Sequence, residues 1–351
     1  MISHDHFIRT VYERVEGTPN RRFAFDSSLF QINTPFVRPL CIKKDNTTSP
    51  ARKRRKKHRS GIVNTDMKDA VYVKEYAVAM IEEAKKLGHY CYVPTSNDQK
   101  SNNVAAQDKV KNFYHSYPVS PLLRLHGENS LNQGLITEVN GESYLVPAEC
   151  KFFCYDVKEI EHKLDLLVHP YDLILLDPPW WNKYIRRKKA KCMGAGYQMM
   201  YNKDLANVPV ATLTGPGSLV AVWCTNSISH LSCLQNEILP AWGMKYVGQW
   251  FWLKVTHGGE PVCEFSEPPG KQPFERIVFG YKKGGNRKQP LPESDKVIIS
   301  VPSAIHSHKP PLSGAKQQNH SYGNIIVTGG AKFQNCPMLA VSLTDEAELK
   351  Y

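Results

Sequence analysis

Residues 173–181 read LILLDPPWW, an apolar run that ends in an acid, two prolines and two tryptophans. By periodicity alone, Leu173–Leu176 fits a buried strand or a buried helix equally well. The flanks decide. Pro170 precedes the run, Pro178 and Pro179 follow it, and the residue before a proline avoids the α region. The run is therefore a short strand, and Asp177 sits at its carboxyl end. In open α/β sheets ligands bind at that end.

Working outward, β-rich runs recur: SYLVPA (143–148), KFFCYDV (151–157), GSLVAVWCT (217–225), KYVGQWFWLKV (245–255), ERIVFGYKK (275–283) and KVIISVP (296–302). Between them, ISHLSCLQNEIL (228–239) places apolar residues at helical spacing. This alternation predicts an α/β sheet, parallel in its centre. Upstream, DMKDAVYVKEYAVAMIEEAKKL (66–87) predicts a helix capped by Asp66 and stopped by Gly88. Residues 95–112 are polar and are expected to be a loop. The expected organisation is a smaller N-terminal accessory region over 1–130, a catalytic domain over 135–312 and a divergent tail over 313–351. In the tail, IIVTGG (325–330) suits a strand and turn, whereas LTDEAELKY trails off.

The chain has 351 residues, with 45 Lys and Arg against 33 Asp and Glu, a formal charge of +12. Much of that charge is concentrated. RKRRKKHR (52–59), inside a loop expected over 50–62, holds seven Lys or Arg and no acid. It reads as a nuclear-import signal, a phosphate-binding arm or a merely soluble linker. KYIRRKKAK (183–191) holds six more, starting two residues after Trp181. A basic run beside a candidate site suits a polyanionic substrate, because phosphate contacts dominate nucleic-acid affinity. The nine cysteines form no CxxC pair, which argues against a disulfide framework and a structural zinc. No apolar run approaches the roughly 20 residues of a membrane span, and MISHDHFIRT lacks the apolar core of a secretory signal.

The opening motif suits capture of an adenine. The exocyclic amine is a poor nucleophile until its lone pair is aimed at an electrophile. A carboxylate and a backbone carbonyl would accept both amine hydrogens and leave the third direction free. Prolines pre-aim such carbonyls, because φ is fixed and no N–H competes. Trp180 is expected to offer a stacking face; the alternative is a structural Pro-Pro turn with a capping Asp and a core Trp.

Asp177-Pro178-Pro179-Trp180 resembles the DPPW signature of the MT-A-seventy family of adenine N-6 methyltransferases. Asn182-Lys183, the strand end Trp223-Cys224-Thr225-Asn226, Phe251-Trp252-Leu253-Lys254, KQPFERIVFG (271–280), SVPSAIHSHKPPL (300–312) and FDSSLFQIN (25–33) resemble the methyltransferase-like protein four clade of that family. The resemblance implies a Rossmann-like sheet and S-adenosylmethionine as donor. It implies that Asp177 and the carbonyl of Pro178 hold the target amine, with Pro179 and Trp180 completing the catalytic motif. Asp156 and Val157 would contact the donor's adenine, and Asp177, His308 and Lys309 its methionine part. Trp181, Asn182, Lys183, Arg186 and Arg187 are the candidates for substrate contact. No metal is expected. The implied substrates are a 2′-O-methylated adenosine of small nuclear RNA, DNA adenine, or both, and the implied location is the nucleus.

After HKPPL the family continues through Glu-Leu-Phe-x-Arg and a Gly-Asn-Glu/Gln tripeptide, which this chain lacks. The tail is therefore expected to leave the C-terminal part of the sheet without one or two central strands. The rival expectation is an inactive homologue that only binds nucleic acid. A metal-dependent hydrolase built on His306 and His308 would need a third ligand, and none is evident.

Overall fold

The computed structural model describes residues 15–16, 27–36, 64–90, 99–116, 125–139, 142–148, 150–167, 170–182, 199–267, 270–285, 290–305, 308–310, 312, 325–328 and 339–343. Its strands are β1 (Val15–Glu16), β2 (Leu125–Asn129), β3 (Gly134–Val139), β4 (Glu142–Val146), β5 (Cys150–Cys154) and β6 (Tyr171–Leu176). There follow β7 (Thr214–Cys224), β8 (Lys245–Lys254), β9 (Phe274–Tyr281), β10 (Lys296–Ser300), β11 (Ile325–Thr328) and β12 (Leu339–Leu343). Strands β1, β3 and β4 form a small sheet, so SYLVPA is a strand that stands outside the main one. The other nine form one mixed sheet in the order β10-β8-β9-β7-β6-β11-β12-β5-β2.

The opening run is β6, bounded by its prolines as the sequence predicts. Leu173 and Leu175 face a cluster with Leu219, Ala221, Trp223 and Ile277. Ile174 and Leu176 face the opposite cluster, with Val220, Val222, Leu234 and Ile238. Both faces are covered, which is why the strand is apolar throughout rather than alternating. Burying each such side chain contributes about 1.5–3 kcal/mol. The covering helix runs from Ile228–Cys233 through a π turn at Leu234–Ile238 into Leu239–Ala241.

Helix α1 (Asn64–Lys86) matches its expected span to within two residues. Gly88, at φ 76°, ends it. The N–H of His89 then donates to Ala84 O at 2.9 Å, the αL closure that favours glycine there. The helix packs on the main sheet. Val73, Ala77 and Ile81, spaced four apart, lie against Phe251, Leu253, Val255 and Phe274. Arg276, 1% exposed, pairs with Asp69 of α1 and donates to Asn226 Oδ1 at 3.0 Å and Gln249 Oε1 at 3.2 Å. Its guanidinium lies 5.2 Å from the centre of the Phe251 ring and 5.4 Å from that of Phe274.

Two expectations are corrected. Residues 95–112 are not a loop, because helix α2 (Gln99–Ser116) covers most of them. Its stability comes from tertiary contacts. Buried Asn103 accepts the Asn33 N–H at 2.9 Å and donates to Thr34 O at 2.7 Å, beside buried Ala106. The tail, in turn, does not leave a gap in the sheet. Strand β11 pairs parallel with β6, from Ile325↔Leu173 to Thr328↔Leu176. Strand β12 pairs antiparallel with both β11 and β5. The centre is filled by backbone pairing, which needs a β-competent segment rather than the family's motifs.

Candidate active site

Strand directions decide which residues meet. β6 is parallel to β7, and β9 is antiparallel to both β7 and β8. The carboxyl ends of β6, β7 and β8 and the start of β9 therefore share one edge. The chain leaving β10, parallel to β8, starts from the same edge. Asp177, Lys254, Glu275 and Lys309 all converge there.

These four side chains form one charged cluster of zero net charge. Lys309 Nζ lies 2.6 Å from Glu275 Oε2 and 3.5 Å from Asp177 Oδ1. Lys254 pairs with the other oxygen of Glu275. Lys309 stands 5.2 Å from the centre of the Trp223 ring, and Lys254 4.5 Å from that of Trp252. The aromatic floor keeps water away and stabilises the cations.

Burial works against every charge in the group, and geometry decides each outcome. Glu275 lies between two lysines, which outweigh its desolvation and hold its pKa at about 2. Burial would lower the Lys309 pKa, but Asp177 and Glu275 together raise it. Burial raises the Asp177 pKa more than Lys309 lowers it, and the Glu275 charge adds to the rise. Burial lowers the Lys254 pKa despite Glu275. Lys309 has two carboxylates beside it, with Glu275 the nearer and the Asp177 charge the larger pull on its pKa, whereas Asp177 has chiefly Lys309 against both burial and the Glu275 charge.

The backbone after Asp177 is fixed. The Trp180 N–H donates to Pro178 O at 2.8 Å, which leaves that carbonyl a second lone pair. The Met200 N–H donates to Pro179 O at 2.8 Å, and the Trp181 N–H to Met200 O at 3.0 Å. Trp180 is 6% exposed, and its indole N–H donates to Trp223 O at 2.7 Å. His230 approaches the ring at 5.1 Å between centroids. The expectation that Trp180 offers an open stacking face is therefore corrected: the ring is part of the core and ties the motif to the end of β7.

Residues 171–316 match the MT-A70 family. The chain carries an MT-A70 domain. It is 31% identical over 200 residues to human N(6)-adenine-specific methyltransferase METTL4, covering 54% of this chain and 40% of that protein. It is 38% identical over 212 residues to the Caenorhabditis elegans DNA N6-methyl methyltransferase, covering 58% and 53%. It is 36% identical over 146 residues to N6-methyladenosine RNA methyltransferase MTA1 of Cryphonectria parasitica, covering 41% and 42%. The chain spans about half the length, or less, of these curated relatives.

Within the MT-A70 domain, Asp177 and Lys309 stand together, while the neighbouring His308 is exposed. Trp181 is half-buried beside Asn182, whose N–H points at Met199 Sδ, 3.3 Å away. Asp156 and Val157 lie outside the family match, after the carboxyl end of β5. There the Asp156 carbonyl accepts the Glu159 N–H at 2.8 Å and Val157 opens a 3-10 helix. β5 is parallel to β6 through β12 and β11, so Asp156 is on the same edge as Asp177. Three strand spacings separate β5 from β6, about 14 Å. Lys183, Arg186, Arg187 and His306, like the basic block at 52–59, fall outside the described residues. Lys254 and Glu275 are the residues that sequence reasoning missed. Their signal was present in FWLK and in the ER of KQPFERIVFG, but only the β8–β9 register brings them together.

Proposed function

We propose that this protein methylates the exocyclic N-6 of adenine in a nucleic acid, using S-adenosylmethionine. The observation that carries the reading is the Asp177–Lys309 pair at the carboxyl edge of the sheet, inside an MT-A70 domain. A carboxylate and an ammonium side by side fit a zwitterionic amino-acid group, with Asp177 taking its amine and Lys309 its carboxylate. Asp156 and Val157 would hold the adenine end of the donor. When bound, S-adenosylmethionine supplies an electrophilic methyl carbon on a sulfonium.

The chain's own residues do the positioning. The Asp177 carboxylate and the free lone pair of Pro178 O accept the hydrogens of the target amine and aim its nitrogen outward. Glu275 keeps Lys309 charged while Asp177 is engaged with the substrate. Trp181 and Asn182 border the substrate side, and Lys183, Arg186 and Arg187 contact its phosphates. The amine proton becomes acidic once the methyl is attached, so water suffices to remove it. Small nuclear RNA carrying 2′-O-methyladenosine and DNA are the two substrate classes proposed. Nuclear import through residues 52–59 completes the proposal, and a reporter fused to residues 50–62 tests it.

The reading is tested by incubating the protein with S-adenosylmethionine and adenine-containing RNA or DNA strands, then digesting and weighing the nucleosides. N6-methyladenosine in either polymer supports it. Tight strand binding without methylation and without calorimetric heat from the donor would establish the inactive homologue instead.

A further inference from the structure

Beside the charged edge stands an aromatic step that pairs Trp181, on the substrate side, with Tyr201, which has no part in the chemistry above. Trp181 and Tyr201 are stacked, with ring centroids 6.2 Å apart and planes 22° from parallel. They come from the two ends of the segment 183–198, whose first half is the acid-free KYIRRKKAK.

The step is rigidly mounted. Trp181 is tied through its N–H to Met200 O at 3.0 Å. His230 spans both ends of the segment: Nε2 donates to Trp181 O at 3.0 Å, and Nδ1 lies 2.7 Å from Asn202 Oδ1. Tyr201 precedes helix α3 (Asn202–Ala206). Its N–H donates to the Asp204 carboxylate at 3.1 Å, and its carbonyl accepts the Leu205 N–H at 3.1 Å. Despite this fixed backbone, Tyr201 is 61% exposed. A large aromatic residue held in place at the surface, four residues of chain from Asp177 on its Trp181 side, is prepared to receive a flat partner.

We propose that the Trp181–Tyr201 step is a second nucleobase subsite, which stacks a base neighbouring the target adenine in a single strand. This rests on the proposed nucleic-acid substrate. The cationic run that follows Trp181 in the sequence suits a polyanion, and every base offers a π face. The partner base must be unstacked from its own neighbours, so single strands and loops are favoured over a closed duplex. Tyr201 then sets which side of the target must carry a base.

The test uses anisotropy with short labelled single strands containing one adenine, intact or with an abasic residue immediately 5′ or 3′ of it. Losing one stacked base weakens binding about fivefold or more. The wild-type protein is expected to show that loss for one abasic flank and not the other. Tyr201→Ala weakens the intact strand to a similar extent and no longer distinguishes the abasic flank, whereas Tyr201→Phe behaves as wild type. Indifference of the wild-type protein to both abasic flanks overturns the subsite without needing any variant. If adenine is still methylated in that case, the proposed function survives the loss of the subsite. If the wild-type protein binds no strand at all, both fail together.

Discussion

Replacing Glu275 with Gln keeps the shape of the side chain and removes the one carboxylate that lies between Lys254 and Lys309. The two lysines hold its pKa at about 2 against an ordinary 4.5, and at about 1.4 kcal/mol per pH unit this amounts to about 3 kcal/mol of stability at neutral pH. The sign follows from linkage. A depressed carboxylate stabilises the fold above its unfolded value, and the contribution is lost as pH falls from about 4.5 towards 2. Asp177 acts in the opposite sense, because its raised pKa favours the fold at low pH and costs stability above its folded value. Urea unfolding of both proteins at pH 7 should therefore show Glu275→Gln less stable by about 3 kcal/mol, in line with breaking a buried ion pair. The gap should narrow below pH 4.5, since the carboxylate of the unfolded wild-type chain is then being protonated while the folded one stays ionised down to about 2. Equal stability at pH 7, or a gap that does not change with pH, would refute the charged-cluster account.

Asp69→Ala should destabilise the protein by about 3 kcal/mol in the same assay, because buried Arg276 loses a carboxylate partner; a loss under 1 kcal/mol would contradict the role given to that pair. Trp180→Phe removes the indole N–H that donates to Trp223 O, and should cost about 1–3 kcal/mol in thermal or chemical unfolding. The Cys224 thiol, pushed up to about 12 by burial against the pull of Arg276, should resist iodoacetamide at pH 8 in the folded protein and react once it is unfolded; mass spectrometry of the labelled peptide reads this directly.

The sheet was legible where local chemistry is decisive. Proline flanks marked both ends of β6, and Gly88 marked the end of α1. Asp177 followed from its place at a strand end, and Lys309 from its motif. Other features depend on pairing between distant residues, which a sequence does not display. Glu275 meets Lys254 through the register of β8 and β9, with Glu275 opposite Trp252. Helix α2 looked like a loop because its anchor, Asn103, is polar and gains its partners from Asn33 and Thr34. Trp180 could be read as a stacking surface or as a core ring, and the order of residues does not choose between them; its burial does. The tail was misjudged for a related reason: absent motifs suggested absent strands, yet β11 joins β6 through its backbone.

The most direct measurement compares single-turnover methyl transfer from S-adenosylmethionine to an adenine oligonucleotide by the wild-type protein and by Asp177→Asn. Asparagine keeps the size but replaces an ionised acceptor with a half-donor, and a hydrogen bond to a charged group is worth about 1.5–3 kcal/mol. The wild-type protein should transfer the methyl group, and the variant should be slower by at least about tenfold. Equal rates in the two proteins would contradict the role assigned to Asp177.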